Sequence, residues 1–272
     1  MKSLDKKSIY LREKIVNMIL DSGSGHFGPS MSIVEIIRVL YDEILKHKPK
    51  KPNWVNRDKF ILSKGHGCLA LYAVLSDKGY FSEKHLKNIC KPKSILGGHP
   101  EFGKVPGIEA STGALGHGLP IAVGLAIAAK KNKNKNKIFV LMGDGELNEG
   151  TVWESCLIAN KYKLSNLSII IDYNKMQSYG NVKNILDLEP LNKKFSSLNF
   201  KVYNINGHNI VQLKKILKKT YSEKTSPSII ICNTIKGKGF YFAENKASWH
   251  YISKISDEKK TLIKSFFNRY EK

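Results

Sequence analysis

Apolar positions along the chain recur with two periods. Ile138–Met142 is an unbroken, partly β-branched run that stops at Gly143, and Leu167–Ile171 is a second that stops short of Asn174. Short runs of this kind bounded by turn formers predict buried strands. Asp58–Ser63, Lys201–Ile205 and Ser228–Cys232 predict three more. Between them the spacing is helical. Ser8–Leu20 repeats apolar residues at Ile9, Ile15, Ile19 and Leu20, and Ile33–Leu45, Cys68–Asp77, Ile121–Ala129, Gly150–Tyr162, Ile210–Thr220 and Asp257–Tyr270 predict further helices. Within Ile121–Ala129, Gly124 and the alanines suit close packing on a sheet. Strands alternating with helices predict an α/β fold: a mainly parallel sheet with helices on both faces. No internal repeat divides the chain, and its 272 residues fit one domain, 1–272.

Chemistry gathers where the strands end. Gly143-Asp144-Gly145 falls in the turn between a predicted strand and the helix from Gly150. Glycines let backbone N–H groups approach an anion, and a helix start favours negative charge. A carboxylate there would repel a diphosphate unless a hard cation sat between them, and Mg²⁺ or Ca²⁺ prefers such oxygen ligands. Asn174, just beyond the neighbouring strand, can add a neutral carbonyl oxygen. Two adjacent parallel strands would then deliver both groups to one crevice at their carboxyl ends, where open α/β sheets bind ligands.

Histidines mark other connections. His26 lies in the predicted loop His26–Ser32, His66 in Lys64–Gly67, His99 in Leu96–Pro100 and His117 in Ser111–Gly118. One such histidine reads as a loop residue bonded to backbone. Four flanked by glycines point to a binding surface, because loops on a rigid scaffold carry function. Thr234–Phe240 (TIKGKGF) adds a glycine-rich loop, and Trp249-His250 falls in an irregular segment.

Composition narrows the setting. The balance of 45 basic against 23 acidic residues gives a formal charge of +22, which raises nucleic acid as a partner. The excess is spread lysine, however, and its densest run, Lys130–Lys137 (KKNKNKNK), has no aromatic residue for base stacking. It reads as a solvated connector, and no nucleic-acid role is expected. Cys68, Cys90, Cys156 and Cys232 form no Cys-x-x-Cys pair, which argues for a reduced compartment and against a disulfide framework or a zinc site. The first residues, MKSLDKKSIYLREK, are no signal peptide, and the apolar run Leu119–Ala129 falls short of the ~20 residues that cross a bilayer. A cytoplasmic protein with no membrane partner is expected.

Taken together, Gly-Asp-Gly with Asn174 is similar to the thiamine diphosphate motif, and SGHFGPSMS, LSKGHG, GGHPE and STGALGHG resemble transketolase in order and spacing, from His26 to His250. The resemblance implies the thiamine diphosphate-binding fold of the transketolase amino-terminal part, and the amino-terminal subunit of a split transketolase. A separate chain would carry the pyrimidine-binding and C-terminal domains, in an α2β2 heterotetramer. It further implies thiamine diphosphate with Mg²⁺ or Ca²⁺ as cofactors, Asp144, Asn174 and the Met176 carbonyl as metal ligands, and Gly143 and Gly145 at the diphosphate with His66 and His250 nearby. Gly113 would meet the amino group of the cofactor, Leu115 would pack on its rings, and Glu149 matches a family glutamate near the subunit interface. His26, His66, His99 and His250 would surround the reacting carbon, bind sugar hydroxyls and move protons, work that suits imidazole. The activity implied is transfer of a two-carbon ketol group between sugars, the cofactor carrying the hard chemistry.

Departures from the family pattern fall at Ser178-Tyr179-Gly180, at His117 where many relatives have Gln, and at Tyr251 after His250. The rival within the cofactor class is a subunit of a 2-oxo acid decarboxylating or carboligating enzyme acting on an aldehyde or modified sugar. A non-catalytic scaffold is a third reading, opposed by Asp144, Asn174 and the histidines.

Overall fold

The computed structural model describes residues 4–178 and 180–267. Five strands, β1 (Lys59–Leu62), β2 (Ile138–Gly143), β3 (Leu167–Tyr173), β4 (Lys201–Asn206) and β5 (Ser228–Asn233), form one parallel sheet in the order β1-β2-β3-β5-β4. The helices are α1 (Lys6–Ser22), α2 (Phe27–Met31), α3 (Val34–Val39), α4 (Cys68–Asp77), α5 (Gly118–Lys131), α6 (Gly150–Lys161), α7 (Val182–Ile185), α8 (Leu191–Ser197), α9 (Ile210–Tyr221) and α10 (Asp257–Phe267).

Alternation along the strands sorts side chains into two cores. Phe139 and Leu141 of β2 pack with α1, α3, α4 and α9, whereas Ile138, Val140 and Met142 pack with α5, α6 and α8. Burial on both sides is why β2 reads as a continuous apolar run. Right-handed crossovers explain the division. The chain steps one way from β2 to β3 and on to β4 with α6 and α8 on one face, then turns back to β5 with α9 on the other.

Four local expectations change. His26–Ser32, expected as a loop, contains α2: Pro29 falls in its first turn, where a missing N–H costs nothing. The helix expected over Ile33–Leu45 is α3 followed by a π turn at Leu40–Ile44. Gly124 of α5 faces open space instead of the sheet, and the close approach is made by Gly118, where a Cβ would come 2.5 Å from the Ser63 side chain. The lysine connector is solvated only in part, because Asn136 is buried and Lys137 Nζ donates to the Ser165 and Glu223 carbonyls. The end of the helix expected to Tyr270, and the departure at Tyr179, lie outside the described residues.

Candidate functional site

Because β2 and β3 run side by side in the same direction, with Gly143 opposite Asp172, their carboxyl ends open into one crevice. Asp144 follows β2 and Asn174 follows β3, as the spacing predicts. Asp144 is 3% exposed and accepts from the N–H groups of Gly145 (2.9 Å) and Lys175. Asn174 is nearly buried, accepts from Met176 N–H at 3.0 Å and donates to Asp172 at 2.9 Å. Burial, and then the neighbouring Asp172 carboxylate, push the Asp144 carboxyl up to about 7. The Lys175 and Gly145 N–H groups and the Lys64 charge offset this only in part. Asp144, Asn174 and Gly145 line a pocket with Leu115, Met176 and Gln177. The Cβ position of Gly145 lies 3.1 Å from the Gln177 side chain, whose buried Nε2 has no hydrogen-bond partner.

These residues fit a cation shared with a phosphate. One carboxylate and neutral oxygens are the donors Mg²⁺ accepts when phosphates and waters complete its shell. Among the described residues no group of three His, Cys, Asp or Glu side chains could hold a metal ion alone, so the remaining ligands would have to come from a bound anion and water.

Four of the histidines converge beside this pocket. The His26 ring centroid lies 5.5 Å from His66, 5.8 Å from His99 and 5.6 Å from His250, and His66 stacks on His250 at 5.5 Å. Local geometry sets each one. His26 is the N-cap of α2. His66 lies in a tight turn between two glycines: a Cβ on Gly65 would come 2.8 Å from the Thr112 carbonyl, and one on Gly67 would come 2.8 Å from Ile33. His99 is anchored through its carbonyl, which accepts from the Tyr72 hydroxyl at 2.8 Å, and its ring lies against Gly113. His250 Nδ1 is 2.7 Å from Lys236 Nζ, and its Nε2 is 3.2 Å from Ser178 Oγ.

Electrostatics keep the cluster neutral. Burial first, then His99, Lys64 and Lys236, lower His26 to about 4. Burial and then Lys236 lower His250 to about 3, and burial also lowers His66 and His99. Beyond the cluster, Tyr251 lies 4.6 Å from His26 and lines a second cavity of about 260 Å³ with Cys68, Leu69, Cys90 and His99.

Not every expected residue joins. His117 is exposed, with Nδ1 2.9 Å from the Leu115 carbonyl, and stays outside the histidine cluster. Glu149 is exposed and packs against Gly116, outside the pocket lining. Gly113 touches His99 rather than the pocket.

Four buried residues that sequence reasoning passed over hold the site together. Asp172 accepts from Ser32 Oγ (2.7 Å), Asn174 Nδ2 (2.9 Å), Lys64 Nζ and Thr234 Oγ1. Burial would raise its carboxyl, but Lys64 and these donors hold it below its ordinary value. Glu146 accepts from Ser63 Oγ at 2.5 Å and from the N–H groups of Gly116 (2.9 Å) and Gly143 (2.8 Å), locking three turns. Lys236 lines the pocket and donates to the Gln177 carbonyl at 3.0 Å, and burial, then Lys64, lower it to about 8. Polar residues at the ends of apolar runs were the available signal, in Asp172 after Leu167–Ile171 and in Lys64 after Asp58–Ser63.

Residues 5–268 match the family described as transketolase, thiamine diphosphate binding domain. One of the subunits of the apulose-4-phosphate transketolase of Actinobacillus succinogenes is 44% identical over 94% of this chain and 92% of its own length. The 6-deoxy-6-sulfo-D-fructose transketolase subunit SqwG of a Clostridium species is 38% identical over the same shares. Among solved structures, the transketolase of Campylobacter jejuni superposes with a TM-score of 0.88 at 34% identity, over 96% of this chain and 42% of that one.

Proposed function

The chain belongs to the transketolase family, a family of transferases, as its thiamine diphosphate-binding amino-terminal part, and from that premise we propose that it transfers a two-carbon ketol group between sugars together with a second polypeptide. That partner would carry the pyrimidine-binding and C-terminal domains, since this chain spans 42% of the Campylobacter transketolase but 92% of the Actinobacillus subunit. The assembly is an α2β2 heterotetramer in the cytoplasm, and the polypeptide 1–272 is one domain. No helix among the described residues is long and apolar enough to cross a membrane.

Asp144, Asn174 and the Met176 carbonyl would hold Mg²⁺ or Ca²⁺, which would supply positive charge to a bound diphosphate. Gly143 and Gly145 let backbone approach that anion, and Lys236 adds positive charge to the same pocket. His66 and His250, which line the pocket, would lie near the diphosphate, Leu115 would pack on the cofactor rings, Gly113 would meet its amino group from beside His99, and Glu149 would lie at the subunit contact. When bound, thiamine diphosphate supplies the reactive carbon and the electron sink for the two-carbon unit. The chain contributes proton handling. His26, His66, His99 and His250 are neutral at physiological pH, so each offers one N–H donor and one acceptor nitrogen to a sugar hydroxyl. Cleaving a carbon–carbon bond beside an alcohol requires that hydroxyl to lose its proton, and a neutral imidazole accepts it. Because Lys236 donates to Nδ1 of His250, the ring proton there resides on Nε2.

The observation that carries this reading is the convergence of four histidines beside Asp144 and Asn174 at the carboxyl ends of β2 and β3. It is tested by co-expressing the chain with its partner and supplying an aldose acceptor. Ketol transfer from hydroxypyruvate or a ketose is expected. Turnover of pyruvate without transfer from either donor would overturn it in favour of the 2-oxo acid reading.

A further inference from the structure

A buried charged cluster lies outside the pocket around Asp144. Arg12 in α1, Glu35 in the first turn of α3, and His208 in the turn between β4 and α9 meet in the interior. Arg12 and Glu35 are no more than 1% exposed. The guanidinium grips both carboxylate oxygens, Nη1 to Oε1 at 2.5 Å and Nη2 to Oε2 at 3.0 Å, and His208 Nδ1 lies 2.8 Å from Oε2. Removing such a pair from water is costly, and an apolar trio would fill the same space more cheaply.

What the three groups hold accounts for them. Arg12 Nε donates to the Lys238 carbonyl at 2.9 Å, and Nη2 to the Met31 carbonyl at 3.1 Å. His208 Nε2 lies 2.9 Å from Ile235 N. A backbone N–H only donates, so Nε2 bears the lone pair and Nδ1 carries the proton toward Glu35. The segment 235–238 is therefore pinned on both sides of Lys236, by an imidazole and a guanidinium joined through one carboxylate. The same guanidinium pins the end of α2, the helix that begins after His26. The two segments then close on each other: Gly237 N–H donates to the Gly28 carbonyl at 3.2 Å, and a Cβ on Gly28 would lie 3.1 Å from Lys236 Cγ.

We propose that Arg12, Glu35 and His208 form a positioning triad that fixes Lys236 so that its ammonium holds His250 in the Nε2–H tautomer, with that N–H toward Ser178 Oγ and the ring stacked on His66. None of the three lines the pocket. The catalytic consequence rests on the transketolase reading, but the tautomer of His250 does not.

Long-range ¹H–¹⁵N spectra of the full, uniformly ¹⁵N-labelled chain test the proposal without activity, with His250 assigned from a His250→Gln variant. In the wild type His208 should carry its proton on Nδ1, show scalar coupling between Nε2 and Ile235 N, and accompany a single Nε2–H form of His250. His208→Ala should give mixed His250 tautomers. His208→Gln should restore the single form, because an amide offers the same donor and acceptor pair. In the complex with its partner, His208→Ala should lower kcat about 10-fold, with recovery in His208→Gln. An unchanged His250 tautomer in His208→Ala overturns the proposal. If His208→Ala does not fold, the wild type decides alone: a proton on Nε2 of His208 would remove the acceptor for Ile235 and overturn it equally.

Discussion

Asp144 is a carboxylate that burial and Asp172 discourage from ionising, so a divalent cation beside it would restore its charge and be held by it. Asp144→Ala should abolish metal-dependent thiamine diphosphate binding to the assembled complex, weakening it at least about 100-fold. Calorimetric titration with and without Mg²⁺ measures this, and an unchanged affinity would remove Asp144 from the metal site. His26 makes a second claim. It faces His66, His99, His250 and Tyr251, with Lys64 and Lys236 close enough to repel its proton. Its folded value of about 4 lies below the ordinary 6.5, so the unfolded chain binds more protons between them. Stability from neutral His26 is thus complete above the unfolded value and falls away as pH drops toward the folded one. Urea midpoints should decline between those pH values, and His26→Gln should flatten the decline; an identical slope in both proteins would contradict the assignment. Asp144, Asn174 and the histidines were legible because glycines flank them or because they close a strand. Asp172, Glu146, Lys64 and Lys236 were not, since each works through partners 30 to 140 positions away that spacing alone does not bring together.

Among elements, α5 shows where packing tolerates a side chain and where it does not. Its first residue, Gly118, approaches the residue after β1 so closely that a Cβ would fall 2.6 Å from the Ser63 Cα, whereas a Cβ on Gly124 meets nothing within 4 Å. Gly118→Ala should destabilise the chain by about 1–3 kcal/mol, and Gly124→Ala should stabilise it by about 0.5–1 kcal/mol through helix propensity. Urea denaturation of both variants checks this pair, and the opposite order would place the sheet-facing side of α5 wrongly. The strands were legible because a parallel sheet buried on both faces writes unbroken apolar runs. Gly124 misled because a glycine among alanines signals close packing without saying on which side. The short α2 was hidden because Gly28 and Pro29 read as breakers, although a proline in the first helical turn breaks nothing.

At the scale of the molecule, the surface above α5 and α6 argues for assembly. The two helices pack side by side on one face of the sheet, and their outward residues Ile121, Leu157 and Ile158 are 40%, 56% and 42% exposed. Leu115, which precedes α5 and lines the pocket, is also 40% exposed. Apolar surface next to a ligand site suits a protein partner that completes the site. The lone chain should therefore hold thiamine diphosphate weakly and show no ketol transfer, with turnover appearing only when the partner is co-expressed. Leu157→Asp should lower the affinity of the two polypeptides at least about 10-fold while leaving the stability of the lone chain within about 0.5 kcal/mol, as surface changes do. Sedimentation of the mixed chains and urea denaturation of this one separate the two effects. Robust turnover by the lone chain would end the split-enzyme reading, and unimpaired assembly of Leu157→Asp would move the partner to another face.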